Sequence, residues 1–358
     1  MTAETAGKKT TLRHPETGVE VPGMPPPAVF CLKPFARDLV YRADVRERLN
    51  RLVDWPLGET PLDPETADDG ILAGIEVILG SWGMRRLDPA LLDRMPNLRG
   101  VFYGAGSIRR FTTDAFWERD IPVCSAWAMN AVPVAEYTFA QIILCLKHAH
   151  LQRHHYREAD RAKRQPLDLG AHGTYGATVG LVSYGQIAKR VRERLASLEG
   201  VRVRVFDPFL SEADARSGAV ERCDLPTLFS ESDVVSIHTP WLPETEGLIT
   251  GDLVSRLRPG GALINTARGA VVDEPGLTAV LRERPDLTAV LDVTFPEPPD
   301  PESPLFSLPN VYLTPHIAGS QDRECARMGH AMVDELERLL AGEPLQYAVS
   351  REQAKVMA

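Results

Sequence analysis

From residue 28 onward, short apolar runs alternate with longer amphipathic runs along the chain. The short runs are rich in Val, Ile and Leu, which is typical of strands buried on both faces of a parallel sheet. The longer runs repeat their apolar residues at helical spacing, as in residues 43–53 and 89–95. This alternation predicts an α/β protein whose helices cover parallel sheets.

The strand candidates form two groups. The first has four, at residues 29–32, 76–79, 100–103 and 122–124. The second has six, at residues 179–183, 201–207, 234–238, 262–265, 288–292 and 311–313. In the second group Gly200 is expected to cap the first helix, and Asp273 precedes a later one. Six strands joined by crossover helices predict a doubly wound sheet of the dinucleotide-binding kind.

These groups define the expected domains. Residues 1–27 are polar and end in three prolines, so we interpret them as a flexible N-terminal extension. Residues 28–133 form one domain with an amphipathic run at 320–345, residues 134–319 form the other, and 346–358 are a C-terminal tail. The expected fold is two Rossmann-like or flavodoxin-like domains with an inter-domain cleft.

A long helical run begins near residue 134 and passes residue 151, with apolar residues on more than one face. Such a helix is often buried between domains or against a partner subunit. His150 and His154 lie one helical turn apart, a spacing that could chelate zinc, but no third ligand accompanies them. We interpret them as interface or surface histidines and predict no metal site.

The composition narrows the function classes. Of the 358 residues 44% are hydrophobic and 25% charged, which is typical of a globular protein. The net charge of −9 disfavours binding to nucleic acid or to an anionic membrane. The longest apolar stretch, residues 139–146, is shorter than a membrane span, and the polar N-terminus does not resemble a signal peptide. Five scattered cysteines fit a reducing, cytoplasmic environment.

Three chemically complementary side chains each follow a strand candidate of the second group. Arg268 comes after 262–265, Glu297 after 288–292 and His316 after 311–313. Because the carboxyl ends of parallel strands meet at one sheet edge, we expect the three to lie together. Taken singly, each has a simpler explanation: a helix cap or surface ion pair for Arg268, an exposed loop acid for Glu297, and a buried histidine for His316.

Together the three side chains provide the chemistry of proton-coupled hydride transfer on a 2-keto or 2-hydroxy acid. Arg268 can bind a substrate carboxylate in a bidentate manner, through two hydrogen bonds from its guanidinium. His316 can donate a proton to the neighbouring carbonyl oxygen, or remove it from the alcohol. Glu297 can hold that imidazole in one tautomer. The trio therefore predicts an oxidoreductase.

The turn after the first strand of the second group carries a degraded dinucleotide signature. The usual Gly-x-Gly-x-x-Gly appears as Ser183-x-Gly185-x-x-Ala188, in which the middle glycine still allows a close approach to a pyrophosphate. Asp207 closes the next strand, where an acid would bind a ribose and repel the 2′-phosphate of NADP. This predicts NAD as the cofactor. The simpler alternative is that Asp207 begins a turn before Pro208.

At this point the chain resembles the D-isomer-specific 2-hydroxyacid dehydrogenases, most strongly between residues 178 and 320. The resemblance is carried by SDVVSIHTP (232–240), RPGGALINTARG (258–269), LDV (291–293) with Glu297-Pro298, and TPHIAG (314–319). It implies that Arg268 orients the substrate, that His316 is the general acid/base and that Glu297 is its partner. Formate dehydrogenases of this superfamily carry glutamine at the Glu297 position, so formate oxidation is not expected.

The resemblance also implies a set of cofactor contacts, with Asp292 near the nicotinamide amide. The expected cofactor-binding residues are Tyr184, Gly185, Gln186, Ile187, Asp207, His238, Thr239, Pro240, Thr266, Ala267, Asp292 and Gly319. A homodimer formed through the long helix is implied as well. The expected partners are a small 2-keto or 2-hydroxy acid and a second copy of the chain, without nucleic acid or membrane.

A glycine-rich loop in the first group is similar to the family's substrate loop, which binds a carboxylate through backbone N–H groups. Gly104, Ala105 and Gly106 match it, but the usual Asp-Asn that follows is replaced by Ile108-Arg109, with Arg110 next. The two arginines either read a second anionic group on the substrate or form a solvated surface pair. Trp82, after another strand of the same group, is a further candidate for substrate contact or an edge packing residue.

Two other functions are compatible with parts of this pattern. Some relatives act as NAD-sensing transcriptional corepressors that keep the same three residues but work by recruiting partners. A methyltransferase would also need a glycine-rich turn and an acid at a strand end, yet it has no need for Arg268, Glu297 and His316. The reading that uses all of these features is an NAD-dependent D-2-hydroxyacid dehydrogenase.

Overall fold

The computed structural model describes residues 12–13, 20–21, 24–158, 165–170 and 173–357. The chain divides into two compact units: unit 1, residues 1–130 with 321–357, and unit 2, residues 131–320. Most of the expected N-terminal extension lies outside the described residues. Within it, β1 (Leu12–Arg13) and β2 (Glu20–Val21) pair antiparallel.

Unit 1 is built on a four-stranded parallel sheet with the order β3-β4-β5-β6. The strands are β3 (Ala28–Cys31), β4 (Val77–Gly80), β5 (Gly100–Tyr103) and β6 (Val123–Ser125). Its helices are α1 (Pro34–Val40), α2 (Ala43–Leu49), α3 (Asp69–Gly74), α4 (Pro89–Arg94), α5 (Asp114–Trp117), α13 (Cys325–Ala341) and α14 (Arg351–Lys355). The run expected to return to this unit is α13.

Unit 2 contains a seven-stranded parallel sheet with the order β13-β12-β11-β10-β7-β8-β9. The strands are β7 (Thr178–Val182), β8 (Arg202–Phe206), β9 (Glu221–Arg222), β10 (Val234–Ile237), β11 (Ala262–Asn265), β12 (Thr288–Leu291) and β13 (Val311–Leu313). The helices are α7 (Ala149–Glu158), α8 (Gln186–Leu195), α9 (Glu212–Ser217), α10 (Leu225–Glu231), α11 (Gly251–Ser255) and α12 (Glu274–Glu283). α6 (Trp127–Leu146) leads into this unit from unit 1.

The strands β3, β4 and β5 of unit 1 and β7, β10, β11 and β12 of unit 2 are buried on both faces, which explains their apolar sequences. In unit 1, Val29 and Ile78 pack on one face, while Phe30 and Leu79 pack on the other. In unit 2 the faces of β7, β10 and β11 are covered by two separate apolar clusters. Since successive side chains of a strand point to opposite faces, each of these strands contributes side chains to both clusters. The doubly wound arrangement predicted from the sequence is confirmed.

Several local expectations were wrong. The long helix begins at Trp127 and breaks after Leu146, because His148 adopts a left-handed conformation with φ of 50°. Gly200 does not cap α8, the helix after β7, which ends at Leu195. Gly200 instead takes a positive φ of 71° in the turn before β8. Strand β9 was not anticipated, because its two exposed polar residues carry no apolar signal.

The longest apolar segment is also longer than the sequence suggested. By length and composition alone, α6 could cross a membrane, the sole such helix among the residues that the structure describes. Half of its apolar window is buried inside the protein, with Ala135, Ile142 and Cys145 in the core of unit 2. A core helix passes the same test, and the burial of α6 fits that explanation.

Candidate active site

The structure delivers Arg268, Glu297 and His316 from neighbouring strands. Arg268 follows β11, Glu297 follows β12 and His316 follows β13. These three strands are adjacent and parallel in the sheet of unit 2. All three side chains therefore emerge at the carboxyl edge of that sheet, where α/β proteins of this type bind their ligands.

The imidazole of His316 is paired with the carboxylate of Glu297. Nδ1 of His316 lies 2.5 Å from Oε1 of Glu297. The two side chains are 46% and 40% exposed, so a ligand can reach them. A carboxylate at Nδ1 keeps a proton on that nitrogen and leaves Nε2 to exchange a proton with a ligand. This is the orientation that a general acid/base needs.

Asp292 organises the loop that carries His316. Its carboxylate accepts hydrogen bonds from the Thr314 hydroxyl at 2.6 Å and from the N–H groups of Ile317 and Ala318, each at 2.8 Å. Its carbonyl oxygen accepts the N–H of His316 at 2.9 Å. Asp292 is buried, so these bonds are shielded from water. His316 itself has a positive φ of 54°, which this set of hydrogen bonds maintains.

The loop that carries Arg268 is shaped by a buried asparagine. Asn265, the last residue of β11, donates its side-chain N–H to the carbonyl oxygen of Arg268 at 3.0 Å. Its side-chain oxygen accepts the N–H of Ala267 at 3.0 Å. At Gly269 a Cβ would collide with the backbone of Thr294 and Phe295, so only glycine allows this loop to pack against the loop of Glu297. Arg268 Nη1 donates to the carbonyl oxygen of Ala267 at 2.6 Å.

The degraded glycine signature forms the expected turn between β7 and α8. Ser183, which stands where glycine is usual, takes a φ of 71°, and its hydroxyl lies 2.9 Å from the hydroxyl of Thr239. Gly185 is the N-cap of α8 and provides no side-chain cap. A Cβ built on Gly185 meets nothing within 4 Å, so there is open space in front of the helix N-terminus. An uncapped helix end beside open space suits a phosphate group.

Asp207 lies directly after β8 and holds the adjacent loops. One carboxylate oxygen accepts the N–H of Tyr184 at 2.7 Å, and the other accepts the N–H of Phe209 at 2.8 Å. The acid therefore fixes the glycine turn and also begins the turn through Pro208. Each oxygen keeps acceptor capacity for a further donor such as a ribose hydroxyl.

The remaining expected cofactor residues lie along the same edge. Thr239 and Thr266 are buried after β10 and β11, and the hydroxyl of Thr266 is 3.0 Å from that of Thr138 on α6. Pro240 and Ala267 follow those threonines, and Gly319 lies beyond His316 in the loop held by Asp292.

His238 is the least satisfied polar group at this edge. Both of its ring nitrogens are shielded from solvent and have no hydrogen-bond partner among the described residues. Burial lowers the pKa of His238 from 6.5 to about 3, so the ring is neutral at physiological pH. A buried group without a partner is expected where a ligand completes the site. His238 and the open space at Gly185 both fit a dinucleotide at this edge.

Two functional contacts were missed by the sequence reasoning. Asn265 shapes the Arg268 loop, and the hydroxyl of Tyr137 on α6 lies 3.0 Å from that of Thr314. A polar residue at the end of a buried strand was an available signal for Asn265. Tyr137 had no such signal, since nothing in the sequence relates α6 to the loop after β13.

The expected substrate residues of unit 1 lie at the carboxyl edge of its own sheet. Gly104 and Ala105 are buried after β5, and Gly106 is partly exposed. A Cβ at Gly104 would press on Val40 and on the hydroxyl of Tyr41, so this position requires glycine. Trp82 follows β4 and is half-buried, packed against apolar residues on both sides of the sheet. Arg109 and Arg110 are exposed.

His150 of the long helical region has ordinary partners. The Nε2 of His150 lies 2.9 Å from the side-chain oxygen of Gln141, and its ring stacks on Tyr312 at 4.2 Å. Burial lowers the pKa of His150. Within the described parts of the chain, no group of three His, Cys, Asp or Glu side chains is arranged to hold a metal ion.

Comparison with known proteins agrees with this geometry. Residues 139–318 match the family described as D-isomer specific 2-hydroxyacid dehydrogenase, NAD binding domain. The chain is 38% identical over 256 residues to (S)-sulfolactate dehydrogenase of Chromohalobacter salexigens, covering 71% of this chain and 82% of that one. It is 29% identical to D-3-phosphoglycerate dehydrogenase of Archaeoglobus fulgidus, covering 74% of this chain and spanning about half (50%) of that protein.

A solved structure shows the same fold. It is described as a phosphoglycerate oxidoreductase from Rhizobium etli, with a TM-score of 0.75, 24% identity, and coverage of 91% of this chain and 99% of that chain. The chain therefore belongs to the D-isomer-specific 2-hydroxyacid dehydrogenase family, as the sequence motifs indicated. It is an oxidoreductase of the 2-hydroxyacid dehydrogenase class whose cofactor is NAD.

Proposed function

We propose that this enzyme interconverts a 2-keto acid and a D-2-hydroxy acid, with His316 as the general acid/base. The observation that carries the proposal is the 2.5 Å contact between His316 Nδ1 and Glu297 Oε1 at the sheet edge that also carries Arg268. A proton donor and a guanidinium at one edge match the two needs of a 2-keto acid, which are a protonated carbonyl oxygen and a neutralised carboxylate.

Each residue has a distinct part in the reaction. Bound NADH supplies the hydride. Nε2 of His316 delivers the proton to the carbonyl oxygen during reduction and removes it from the alcohol during oxidation. Glu297 keeps the ring oriented and stabilises the imidazolium through Nδ1. Arg268 binds the substrate carboxylate and polarises the neighbouring carbonyl.

The residues proposed to hold NAD lie along the carboxyl edge of unit 2. The N–H groups at the start of α8, in Gly185, Gln186 and Ile187, would face the pyrophosphate beside Tyr184. Asp207 would accept the adenosine ribose hydroxyls. The other proposed contacts are His238, Thr239, Pro240, Thr266, Ala267, Asp292 and Gly319.

For the substrate we propose that unit 1 contributes the Gly104–Gly106 loop and Trp82. This makes unit 1 the substrate domain and unit 2 the NAD-binding domain. The loop would bind the carboxylate through backbone N–H groups, because its glycines allow a close approach. Trp82 would limit the size of the group next to the keto carbon.

We further propose that the substrate carries a second anionic group. Arg110 and Arg86 are exposed near the carboxyl edge of unit 1 and form no ion pair within the described residues, unlike Arg99 and Arg94 of the same unit. Burial raises the pKa of Tyr103, at the end of β5, to about 12, and the positive charge of Arg110 opposes this rise. A relative acts on sulfolactate, which has a sulfonate beside its carboxylate. A sulfonate, phosphate or second carboxylate would complement these arginines.

The test is NADH consumption over a panel of 2-keto acids that differ only in a terminal anion. We expect turnover of the acids with a second anion at lower KM than pyruvate or glyoxylate. H316A and R268A should lower kcat/KM by about a thousandfold while NADH binding changes little. No turnover of any 2-keto acid by the wild type would contradict the proposed function and favour a role as an NAD-sensing binding protein.

The proposed site for a second anionic group of the substrate is tested separately, with a matched control variant. R110A should raise the KM of the dianionic substrate about tenfold and leave that of pyruvate unchanged. R99A removes an arginine of the same unit that is ion-paired with Glu76, and it should alter neither value. Equal effects of R110A on both substrates would contradict the second-anion site.

We propose in addition that the enzyme is a cytoplasmic homodimer formed through α6 and α7. Apolar side chains of these helices, Leu144 and Tyr156, are 39% and 57% exposed. Light scattering of the purified protein gives its mass in solution and so tests the dimer. A monomer mass, or a dimer mass that L144E leaves unchanged, would contradict it.

A further inference from the structure

Two serine hydroxyls bind the carbonyl oxygens of the Gly104–Gly106 loop on its buried side. Ser81 Oγ donates to the carbonyl oxygen of Gly104 at 3.0 Å. Ser125 Oγ lies 3.0 Å from the carbonyl oxygen of Ala105 and 2.5 Å from that of Gly106. Both serines are fully buried. Every carbonyl oxygen of the loop therefore has a hydroxyl partner.

The two serines approach the loop from opposite sides. Ser81 follows β4 and Ser125 ends β6, the strands on either side of β5, from which the loop emerges. The N–H of Trp127 donates to Ser125 Oγ at 3.2 Å. This bond occupies a lone pair of the hydroxyl, so its proton is directed toward the loop carbonyls.

The N–H groups of the same loop divide into two sets. Those of Gly104 and Ala105 are engaged, by the carbonyl oxygens of Gly80 and Tyr103 at 2.8 Å each. Those of Gly106, Ser107 and Ile108 donate no hydrogen bond to any described residue. Successive N–H groups without partners can bind an anion together. Gly106 and Ser107 are partly exposed, so an anion can reach them.

We infer that Ser125, assisted by Ser81, is a positioning residue for substrate binding. By fixing the carbonyl oxygens of Ala105 and Gly106 on the buried side, the Ser125 hydroxyl turns the N–H groups of the same peptide units, those of Gly106 and Ser107, outward as a preorganised site for the substrate carboxylate. Ser81 fixes the preceding peptide unit through the carbonyl oxygen of Gly104. This role rests on the proposed function, in which that carboxylate is the ligand of the loop.

A structural role alone would have a different signature. Loss of Ser125 Oγ removes the hydroxyl that the carbonyl oxygens of Ala105 and Gly106 share, so the peptide units are free to rotate and the N–H groups lose their alignment. The affinity for the carboxylate then falls, while the proton transfer by His316 is unaffected. A residue that only stabilises the unit would lower its stability without changing the KM.

The experiment compares S125A, S81A and S125T with the wild type. The control is D68A, which removes the N-cap of α3 in the same unit, where Asp68 accepts the N–H of Ile71 at 3.1 Å. The measurements are KM and kcat for the preferred 2-keto acid, the Kd of NADH, and amide hydrogen exchange of a peptide covering residues 104–110 in the absence of substrate.

For S125A we expect the KM to rise about tenfold, kcat to stay within about threefold, the Kd of NADH to stay unchanged, and exchange at 104–110 to become faster. S81A should show a smaller rise, S125T should keep the wild-type values, and D68A should be less stable with an unchanged KM. If S125A does not fold, S81A alone decides by the same criteria.

These measurements distinguish failure of the positioning role from failure of the proposed function. Wild-type turnover together with an unchanged KM and unchanged exchange in S125A and S81A would overturn the positioning role alone. A wild type that oxidises NADH with no 2-keto acid would overturn the proposed function and this role with it.

Discussion

The carbonyl oxygen of Asp292 accepts the N–H of His316 at 2.9 Å, and the carboxylate of the same residue binds the next two N–H groups of the chain. His316 is thereby fixed in a left-handed conformation that costs a non-glycine residue about 1 kcal/mol or more. Asp292 directly follows β12 and binds the loop after β13, so it connects the two segments that carry Glu297 and His316.

The first prediction concerns D292N. In asparagine one of the two carboxylate oxygens is replaced by an NH2 group, which would face the N–H of either Ile317 or Ala318, so the loop would lose its alignment. We expect kcat/KM at saturating NADH to fall about a hundredfold. T314V removes the 2.6 Å hydroxyl bond to Asp292 and the 3.0 Å contact with the Tyr137 hydroxyl, and it should cost about tenfold. Steady-state kinetics measures both. A D292N enzyme with wild-type kcat/KM would show that the loop is held by other contacts.

The strand ends that carry the site could be predicted from the sequence. β11 and β12 are buried apolar runs and β13 is a partly exposed apolar run, and polar residues at their ends mark the carboxyl edge. Their chemistry then identified Arg268, Glu297 and His316 as a set. The pairing of His316 with Glu297 follows from this reasoning because adjacent parallel strands bring their ends together.

Other parts depend on tertiary contacts that no local pattern reveals. The long helix breaks at His148 because one residue adopts a positive φ beside Gly260, where the imidazole closely approaches the backbone. Of the serines that support the Gly104 loop, one follows β4 and the other ends β6, and both are far from the loop in the sequence. Such residues could be found only after the strand order was known.

The second prediction concerns the choice between NADH and NADPH. Asp207 keeps a carboxylate at the end of β8, where a 2′-phosphate would meet its negative charge. We expect kcat/KM for NADH to exceed that for NADPH by at least about tenfold. D207S should bring the ratio close to one, while E221Q, an exposed acid on β9, should leave it unchanged. A wild-type ratio below one would contradict the role of Asp207.

The third prediction uses the buried imidazole of His238. Burial lowers its pKa from 6.5 to about 3, so below pH 6.5 the unfolded chain takes up a proton that the folded protein does not. Folding stability is therefore lost as the pH falls from 6.5 toward 3. Between pH 7.5 and 5.0 this single group should cost about 2 kcal/mol.

The measurement is urea denaturation of wild type and H238N at those two pH values. Asparagine is neutral throughout, so H238N should lose about 2 kcal/mol less than the wild type over this range. H154N, an exposed histidine on α7, is the matched control and should behave like the wild type. Equal pH dependence of wild type and H238N would show that the folded protein accommodates the charged ring.

The fourth prediction concerns Glu335, a fully buried carboxylate on α13. It accepts the N–H groups of Gln346 at 3.2 Å and Tyr347 at 2.9 Å, and the thiol of Cys124 at 3.3 Å. Burial and the neighbouring negative charge raise the pKa of that thiol. E335A leaves these donors without an acceptor, and we expect the free energy of unfolding to fall by about 3 kcal/mol or more.

The control for E335A lies on the same helix. E337A removes a partly exposed ion pair with Arg48 at 3.1 Å and should cost about 1 kcal/mol or less. Tryptophan fluorescence during urea denaturation reports mainly on unit 1, since Trp241 is the one tryptophan outside it. The carbonyl oxygen of Tyr347 also accepts the N–H of Ser125 at 3.1 Å, so E335A should loosen the Gly104 loop as well. Equal stability of E335A and E337A would show that water replaces the buried acceptor.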